Sequence, residues 1–188
     1  MTEDEKMKYE VLNHACVRIE GSKVLYFDPF KIETASHDAD YIFITHSHYD
    51  HESPEDIEKV KKEGTVLISY NDMKPGDEKS FDGLKVKAIA AYNKLKPFHM
   101  KVNGWVGYWV SLDGMEFYVA GDTDDTPEAR EVRCDVCFIP VGGTYTCDAK
   151  QGAELAKAIA PRIEAVPYHY GSIIGTNKDA ELFRSLLR

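Results

Sequence analysis

The sequence predicts an α/β (α+β) fold in which two β-sheets pack face to face with helices on the outside. A strand-rich first half contains one helix, and a second strand-rich half ends in helices, an order typical of two covered sheets. The chain has 188 residues, of which 43% are hydrophobic, enough for one domain with its own core. We therefore expect a single domain over residues 1–188.

The first segments are predicted strands joined by short turns. The predicted strands are residues 8–13, 16–20 and 24–27. Asp28-Pro29 ends the third of them, because proline cannot donate a hydrogen bond to a β-ladder. A fourth strand is predicted at the apolar run 41–44.

A helix and two more strands follow. Ser53-Pro54-Glu55-Asp56 is a helix start, with a capping hydroxyl, a proline at the first helical position and acids in the first turn. The helix should run to about residue 62 and stop before Gly64. Strands are predicted at 65–69 and 83–90, which gives one βαβ unit. The segment 92–103 lacks periodicity and is a predicted loop.

The second half is predicted to contain a hairpin, two strands and two helices. Asp113-Gly114 is a type I′ turn signal between strands at 105–112 and 115–120. The remaining predicted elements are strands at 135–141 and 162–167 and helices at 149–160 and 178–187.

A histidine-rich segment directly follows the strand at 41–44. In His46-Ser47-His48-Tyr49-Asp50-His51, three imidazoles and one carboxylate fall within six residues. Residues two apart on an extended backbone face the same way, so His46 and His48 can reach one metal ion. Asp50 and His51 follow where the chain leaves the sheet and can turn toward a second ion. The alternative is a histidine-rich surface loop, which seldom has this ligand set at the end of a strand.

This H-x-H-x-D-H segment resembles the signature of the metallo-β-lactamase superfamily of metal-dependent hydrolases. The resemblance covers most of the chain and implies the four-layer αββα sandwich of that superfamily. It also implies two later ligands, Asp122 and His169, each after a strand. Asp122 is the candidate for a bridging ligand, since a carboxylate has two oxygens to share. The implied metal ligands are His46, His48, Asp50, His51, Asp122 and His169.

The third histidine of the superfamily pattern has no match, because Asn93 stands in its place. Either His99 folds back to complete the first coordination sphere, or His46, His48 and Asp122 hold the first ion with water in the open place. We expect the second arrangement, since a ligand in a mobile loop must offset the entropy of ordering that loop. His99 would then face the pocket and bind substrate or transfer a proton.

The same resemblance points to two positions near the metals. His14 lies near the metals in similar proteins and is a catalytic candidate, with a hydrogen-bonded core histidine as the alternative. The Asp28-Pro29 turn is expected beneath the site, where it would hold the metal loop. Similar proteins have one more strand after the last helix, so we expect a trimmed C-terminus or a shortened sheet edge.

Charge and composition bear on partners and location. The net charge of −9 argues against a nucleic-acid partner. The polar start at residues 1–6 has no apolar segment behind it, and no stretch is long and apolar enough to span a bilayer. We expect a cytoplasmic protein without membrane contact.

Two cysteines allow two interpretations. Cys134 and Cys137 form a C-x-x-C, but residues three apart on a strand face opposite sides, so we expect buried or half-buried thiols rather than a zinc or redox pair.

Lys94, Lys96 and Lys101 make the predicted loop basic. That loop is either an ordinary solvated segment or an anion-attracting rim beside the metals.

The expected activity is metal-dependent hydrolysis. Two divalent ions would activate water to hydroxide, and Asp50 could also accept a proton from it. Zinc suits the ligand set best, with manganese, iron or nickel as alternatives. The expected substrate is a small anionic ester, lactone or phosphodiester. A two-iron oxidoreductase of the same fold and a non-catalytic metal-binding protein are the alternatives.

Overall fold

The computed structural model describes residues 6–188. Residues 1–5, which carry most of the polar start noted above, lie outside the described residues. The described part of the chain forms the following strands and helices: β1 (Lys8–Asn13), β2 (Cys16–Glu20), β3 (Val24–Phe27), β4 (Tyr41–Ile44), α1 (Pro54–Val60), β5 (Val66–Ser69), β6 (Glu78–Phe81), β7 (Leu84–Ala90), β8 (Val106–Leu112), β9 (Met115–Val119), α2 (Pro127–Arg130), β10 (Val136–Pro140), α3 (Ala149–Ile159), β11 (Glu164–Tyr168) and α4 (Asn177–Leu186).

The strands form two mixed sheets. The first has the order β1-β2-β3-β4-β5, and the second has the order β11-β10-β9-β8-β7-β6. In the first sheet β3, β4 and β5 are parallel, because α1 carries the chain from β4 back to β5. In the second sheet β9, β10 and β11 are parallel. The βαβ unit predicted around α1 is therefore confirmed.

The main core lies between the two sheets, and side-chain alternation assigns each strand's faces. In β4, Tyr41 and Phe43 belong to this core, while Ile42 and Ile44 pack in a separate cluster with Val60 of α1. In β10 the inward side chain of Phe138 joins the main core, and Ile139 packs with residues of α3. A strand whose two faces are both covered is apolar throughout, as these two are. The predicted four-layer αββα sandwich is confirmed.

Most predicted elements are present, with shifts of one or two residues at their ends. The turn between β8 and β9 has positive φ at both Asp113 and Gly114, 51° and 81°, as a type I′ turn requires. Three elements were not predicted: β6, whose Glu78-Lys79-Ser80 has no apolar pattern, the one-turn α2, and a one-turn 3₁₀-helix at Lys101–Asn103 within the predicted loop. All three are too short or too polar for periodicity to reveal them.

Two predictions from composition can be compared with the structure. All four cysteines are free and buried, which confirms the thiol reading of Cys134 and Cys137. Within residues 6–188, none of the helices has the length and apolar character needed to cross a membrane.

Candidate metal centre

The histidine-rich segment leaves the sheet at the carboxyl end of β4. Thr45 is buried, and its backbone N–H and hydroxyl both donate to the carboxylate of Asp28, at 2.8 Å and 2.6 Å. The same carboxylate accepts from Nδ1 of His51 at 2.7 Å. The predicted role of the Asp28-Pro29 turn is therefore confirmed, because Asp28 ties both ends of the segment together beneath the site.

Three groups of possible metal ligands lie side by side among the described residues, and the third, Asp28, His46 and His51, shares one histidine with each of the other two. In each group, one ligand atom from every residue lies within 4.8 Å of the others. The first group is His46, His48, His99 and Asp122, and the second is His14, Asp50, His51 and His169. All six metal ligands inferred from the sequence are in these two groups, and His14 and His99 join them.

Asp122 lies between the two groups. Its Oδ2 is 3.4 Å from Nε2 of His46 and 3.1 Å from Nε2 of His99. Its Oδ1 is 3.2 Å from Nε2 of His51 and 3.1 Å from Nε2 of His169. Each oxygen of one buried carboxylate thus faces a different set of imidazoles, which is the arrangement a bridging ligand needs.

These contacts have the spacing of ligands around an ion rather than of hydrogen bonds. Nε2 of His46, His51, His99 and His169 and Oδ1 of Asp122 are buried without any hydrogen-bond partner. Buried polar atoms left in this way are rare and costly. Ligands about 2.0–2.1 Å from a tetrahedral ion lie about 3.3 Å from one another. The donor set therefore fits one divalent ion in each of these two groups.

Hydrogen bonds to Nδ1 orient three of the imidazoles toward Asp122. Asp28 accepts from His51, Thr45 Oγ1 lies 2.9 Å from Nδ1 of His46, and Asn93 Oδ1 lies 3.1 Å from Nδ1 of His99. With Nδ1 donating in each of these bonds, Nε2 is the nitrogen left to bind an ion. This is how metal-binding histidines are usually held.

His14 contacts the second group through Asp50. Its Nε2 lies 2.8 Å from Asp50 Oδ2, and its ring centroid is 4.0 Å from that of His169. The backbone N–H of His169 also donates to the carbonyl of His14 at 2.8 Å. Both alternatives from the sequence apply, since His14 is a buried, hydrogen-bonded histidine and also lies at the site.

The structure places His99 in the first ligand group, contrary to the arrangement we expected from sequence. His99 is 1% exposed. The entropy argument fails because hydrogen bonds made by Asn93 order the loop around His99. Asn93 N–H donates to the carbonyl of His99 at 2.7 Å, and Asn93 Nδ2 donates to the carbonyl of Tyr145 at 2.8 Å. Asn93, which stands where a ligand was missing, fixes the loop that supplies His99.

The electrostatics of the cluster favour a cation. Burial lowers the pKa of His46 to about 3, so this imidazole is neutral, the form that binds metal. Burial opposes ionisation of Asp122, but His169, His51 and His46 outweigh it and hold its pKa well below the usual value. For His51, the carboxylates of Asp122 and Asp28 outweigh burial, and its pKa is raised well above the usual value. A cation bound at His51 would therefore take the place of a proton.

The backbone at the site is unusual. His14, Asp28 and His169 have φ values of 51°, 48° and 61°, in the left-handed region that side-chain-bearing residues seldom adopt. Such conformations persist where the surrounding contacts demand them, often at functional sites. All three residues contact the ligand groups directly or hold a ligand.

Two buried tyrosine hydroxyls hold the chain where it delivers ligands. Tyr108 donates to the carbonyl of Ile44 at 2.7 Å, two residues before His46. Tyr168 accepts from the N–H of Gly121 at 2.8 Å, one residue before Asp122. Both side chains are at most 1% exposed. Neither contact, nor the bond from Asn93 to Tyr145, could be predicted from the sequence, because each joins segments far apart in the chain.

A cavity of about 270 Å³ opens above the two groups. It is lined by His48, Tyr49, Asp50, Phe98, His99, Asp122, Tyr145, His169 and Ile173. None of the three lysines expected at a basic rim lines it. Lys96 is paired with Asp124 at 2.9 Å and Lys101 with Glu128 at 3.0 Å, and they line a different depression together with Lys94. The three lysines therefore do not form a rim beside the metals, because nearby acids hold two of them, and the loop borders the cavity through Phe98 and His99 instead.

Comparisons with known proteins agree with this fold. A family model described as a beta-lactamase superfamily domain matches residues 8–169. A UPF0173 metal-dependent hydrolase from Thermoplasma acidophilum is 30% identical over 97% of this chain and 91% of its own. A crystal structure of a metal-dependent hydrolase from Parabacteroides distasonis has a TM-score of 0.85 at 29% identity and covers 97% of this chain and 88% of that one. A metallo hydrolase from Ignicoccus hospitalis has a TM-score of 0.73 at 22% identity, covering 95% and 91%, and shares the fold.

Proposed function

This chain belongs to the metallo-β-lactamase superfamily, and on that premise we propose that it is a metal-dependent hydrolase with two divalent ions, zinc first among them. The proposed ligands of the first ion are His46, His48, His99 and Asp122. The proposed ligands of the second ion are Asp50, His51, His169 and Asp122. The observation that carries the proposal is Asp122, whose two oxygens face separate sets of unpartnered imidazole nitrogens.

When bound, the ions supply a Lewis acid for the scissile bond and lower the pKa of water so that it can attack at neutral pH. The protein's part is to hold the groups around them. Asp122 is buried and its pKa is held well below the usual value, so its carboxylate would be able to hold both ions without first losing a proton. Asp28 and Asn93 keep His51 and His99 in the tautomer that leaves Nε2 free.

Asp50 lines the cavity, and we propose that its carboxylate accepts a hydrogen bond from the attacking water. Burial raises the pKa of its carboxyl, but His14 and His51 outweigh burial and lower that pKa far below neutral. A carboxylate of this kind is a weak base and a constant hydrogen-bond acceptor. We therefore assign Asp50 to orient the water, and His14 to hold Asp50 through its 2.8 Å contact with Oδ2.

The proposed substrate is a small molecule with an ester, lactone or phosphodiester bond. The cavity of about 270 Å³ is below the usual range for drug-sized ligands, which begins at about 300 Å³. The fold of the superfamily does not determine which of these bonds is hydrolysed. The anionic character expected from the basic loop loses its support, because the lysines concerned do not line the cavity.

The test combines metal analysis with a substrate panel. Protein purified without added metal is analysed for zinc, iron, manganese and nickel, and is then assayed on lactone, ester, thioester and phosphodiester substrates. We expect about two zinc ions per chain and turnover of at least one class. Redox-active iron without hydrolysis would favour the two-iron oxidoreductase instead. Two bound ions without any turnover would favour a metal-binding protein.

Trp105 offers a direct reporter of the first ion. Its ring centroid lies 5.1 Å from that of His46 and 4.9 Å from that of His48. In the Trp109→Phe variant it is the remaining one of the chain's two tryptophans. Titration with Co²⁺ should change its fluorescence in a saturable way, and the change should be lost in a variant that also carries His48→Ala. If both ions bind and the fluorescence of Trp105 does not change, the assignment of His48 as a ligand of the first ion is wrong.

A further inference from the structure

The cavity above the ligand groups has an apolar, largely aromatic mouth. The lining residues outside the two groups are Tyr49, Phe98, Tyr145 and Ile173. Tyr49 is 70% exposed, Phe98 42% and Ile173 38%. Large apolar side chains gathered and exposed around a polar floor are typical of a binding site.

One part of this mouth is a fixed aromatic pair. Phe98 and Tyr145 meet edge to face, with ring centroids 4.7 Å apart and an angle of 78° between the rings, an arrangement that aromatic rings favour. Phe98 directly precedes His99, and Asn93 bonds both His99 and the carbonyl of Tyr145. The pair is therefore held in place by the same side chain that orients a proposed ligand.

A second aromatic pair borders the cavity through Tyr49. Tyr49 lies in the chain between His48 and Asp50, and its ring contacts Phe30 edge to face at 6.1 Å. Phe30 in turn contacts His14 at 5.9 Å. The exposed tyrosine thus has a buried aromatic neighbour that limits where its ring can lie.

Cations do not line this mouth in the described part of the chain. Lys96 is held by Asp124 and by the carbonyl of Thr146, at 2.9 Å and 2.7 Å. Lys31 donates to Ser172, lies 5.5 Å from the ring of Phe30 and is not a lining residue. A charged substrate group placed against Phe98 and Tyr145 would lose water without gaining a counter-ion, which is costly.

From these contacts we infer that the part of the substrate at the mouth is uncharged and apolar, a short acyl chain or an aryl ring that packs against Phe98, Tyr145 and Tyr49. This inference rests on the proposed function, since the scissile bond must lie over the two ions. Burial of an apolar group against these side chains is favourable in proportion to the area removed from water. The proposed substrates are therefore neutral apolar esters or lactones, without a charged group at this position.

The test separates the tail of a ligand from its metal-binding end. Hexanohydroxamic acid and the monohydroxamic acid of adipic acid have the same metal-binding group and the same chain length, but end in a methyl group and a carboxylate. Their affinities for the zinc-loaded protein are measured by calorimetry. We expect the methyl-ended compound to bind about tenfold more tightly, because burial of its terminal methyl group against these rings is favourable, whereas a carboxylate in the same place would lose water without gaining a counter-ion.

Variants locate the preference. Phe98→Ala and, separately, Tyr49→Ala should reduce it to about threefold or less, with zinc content unchanged. Leu95→Ala is the control, because Leu95 is in the same loop, is 98% exposed and does not line the cavity. Tyr49→Ala keeps the test valid if Phe98→Ala disturbs His99. Equal affinity for the two compounds in the unaltered protein, or a preference that both variants retain, would overturn the inference.

The outcome distinguishes this inference from the proposed function. Hydroxamate preference without hydrolysis of any ester would leave the apolar mouth intact and contradict the hydrolase assignment. Hydrolysis with a preference for carboxylate-ended esters would support the hydrolase assignment and contradict the apolar mouth. A protein that binds no divalent ion would overturn both.

Discussion

The side-chain oxygen of Asn93 lies 3.0 Å from the backbone nitrogen of His99 and 3.1 Å from its Nδ1. Because the Nδ1–H is engaged there, Nε2 is the nitrogen that faces Asp122 Oδ2, at 3.1 Å. The amide group of Asn93 also donates to the carbonyl of Tyr145. An asparagine in place of the missing histidine therefore orients another histidine, His99, which belongs to the first group of possible ligands.

Replacing Asn93 should weaken one ion more than the other. Asn93→Ala removes the bonds that hold His99 and its loop, so the affinity of the first group for zinc should fall about ten- to hundredfold, the usual scale for loss of a group that orients a ligand. The second group should change little. Zinc titration against a competing chelator measures both affinities.

Asn103→Ala is the matched control for that experiment. Asn103 is an exposed asparagine in the same loop, and its replacement should leave both affinities unchanged. If Asn93→Ala also binds zinc like the unaltered protein, the loop holds His99 by other contacts and the role given to Asn93 is wrong.

The fold and most of the ligand set could be predicted because they depend on local pattern. The apolar run of β4 and the spacing of His46, His48, Asp50 and His51 are both properties of a short segment. Asp122 and His169 were found by a resemblance, and each follows a strand of the second sheet as expected. Alternation and turn signals placed the ends of most strands.

The place of His99 could not be predicted in the same way. Its loop has no periodicity, and the bonds that order it come from Asn93 and from the segment around Tyr145, 46 residues beyond His99 in the chain. The hypothesis that Lys94, Lys96 and Lys101 form a basic rim beside the metals failed for a related reason. Whether Lys96 faces a cavity or pairs with Asp124 depends on tertiary contacts that composition does not contain.

A variant without the Asp122 carboxylate should lose both ions, whereas a variant without the His48 imidazole should lose one. Asp122 faces both ligand groups, and His48 belongs to the first alone. We expect Asp122→Ala to retain little zinc after dialysis and His48→Ala to retain about one ion per chain. Both variants should keep the circular dichroism of the unaltered protein, because the core between the sheets does not include them. Equal zinc loss in the two variants would contradict a bridging role for Asp122.

Loss of the Tyr168 hydroxyl should destabilise the protein through one buried N–H. In Tyr168→Phe, the N–H of Gly121 loses its 2.8 Å acceptor, and a buried donor without a partner costs about 1–3 kcal/mol. Urea unfolding measures the change. Tyr118→Phe is a close control, since the Tyr118 hydroxyl is equally buried but has no hydrogen-bond partner, and its loss should be neutral or stabilising. A larger cost for Tyr118→Phe than for Tyr168→Phe would contradict this account.

The last prediction concerns Asp56, which joins α1 to the loop after β3. Its carboxylate accepts from the backbone N–H of Lys31 and of Ile32, at 3.0 Å and 2.9 Å, and from the hydroxyl of Ser53 at 2.7 Å. Burial opposes ionisation, but the hydrogen bonds from Ser53, Ile32 and Lys31 outweigh it and hold the pKa of Asp56 below its usual value. Asp56→Ala should therefore cost about 2 kcal/mol at pH 7, as expected for hydrogen bonds to a charged group.

The pH dependence of that cost has a definite sign. Because the carboxyl has a lower pKa in the folded chain than in the unfolded chain, it stabilises the fold above the unfolded value of about 3.9 and loses this effect as pH falls through the folded value. The difference in unfolding free energy between the unaltered protein and Asp56→Ala should thus be constant at neutral pH and narrow in acid. Glu55→Ala is the control, because the Glu55 side chain is 83% exposed and its replacement should have little effect. A difference that stays the same from neutral pH to about pH 3 would show that Asp56 acts through packing and not through its charge.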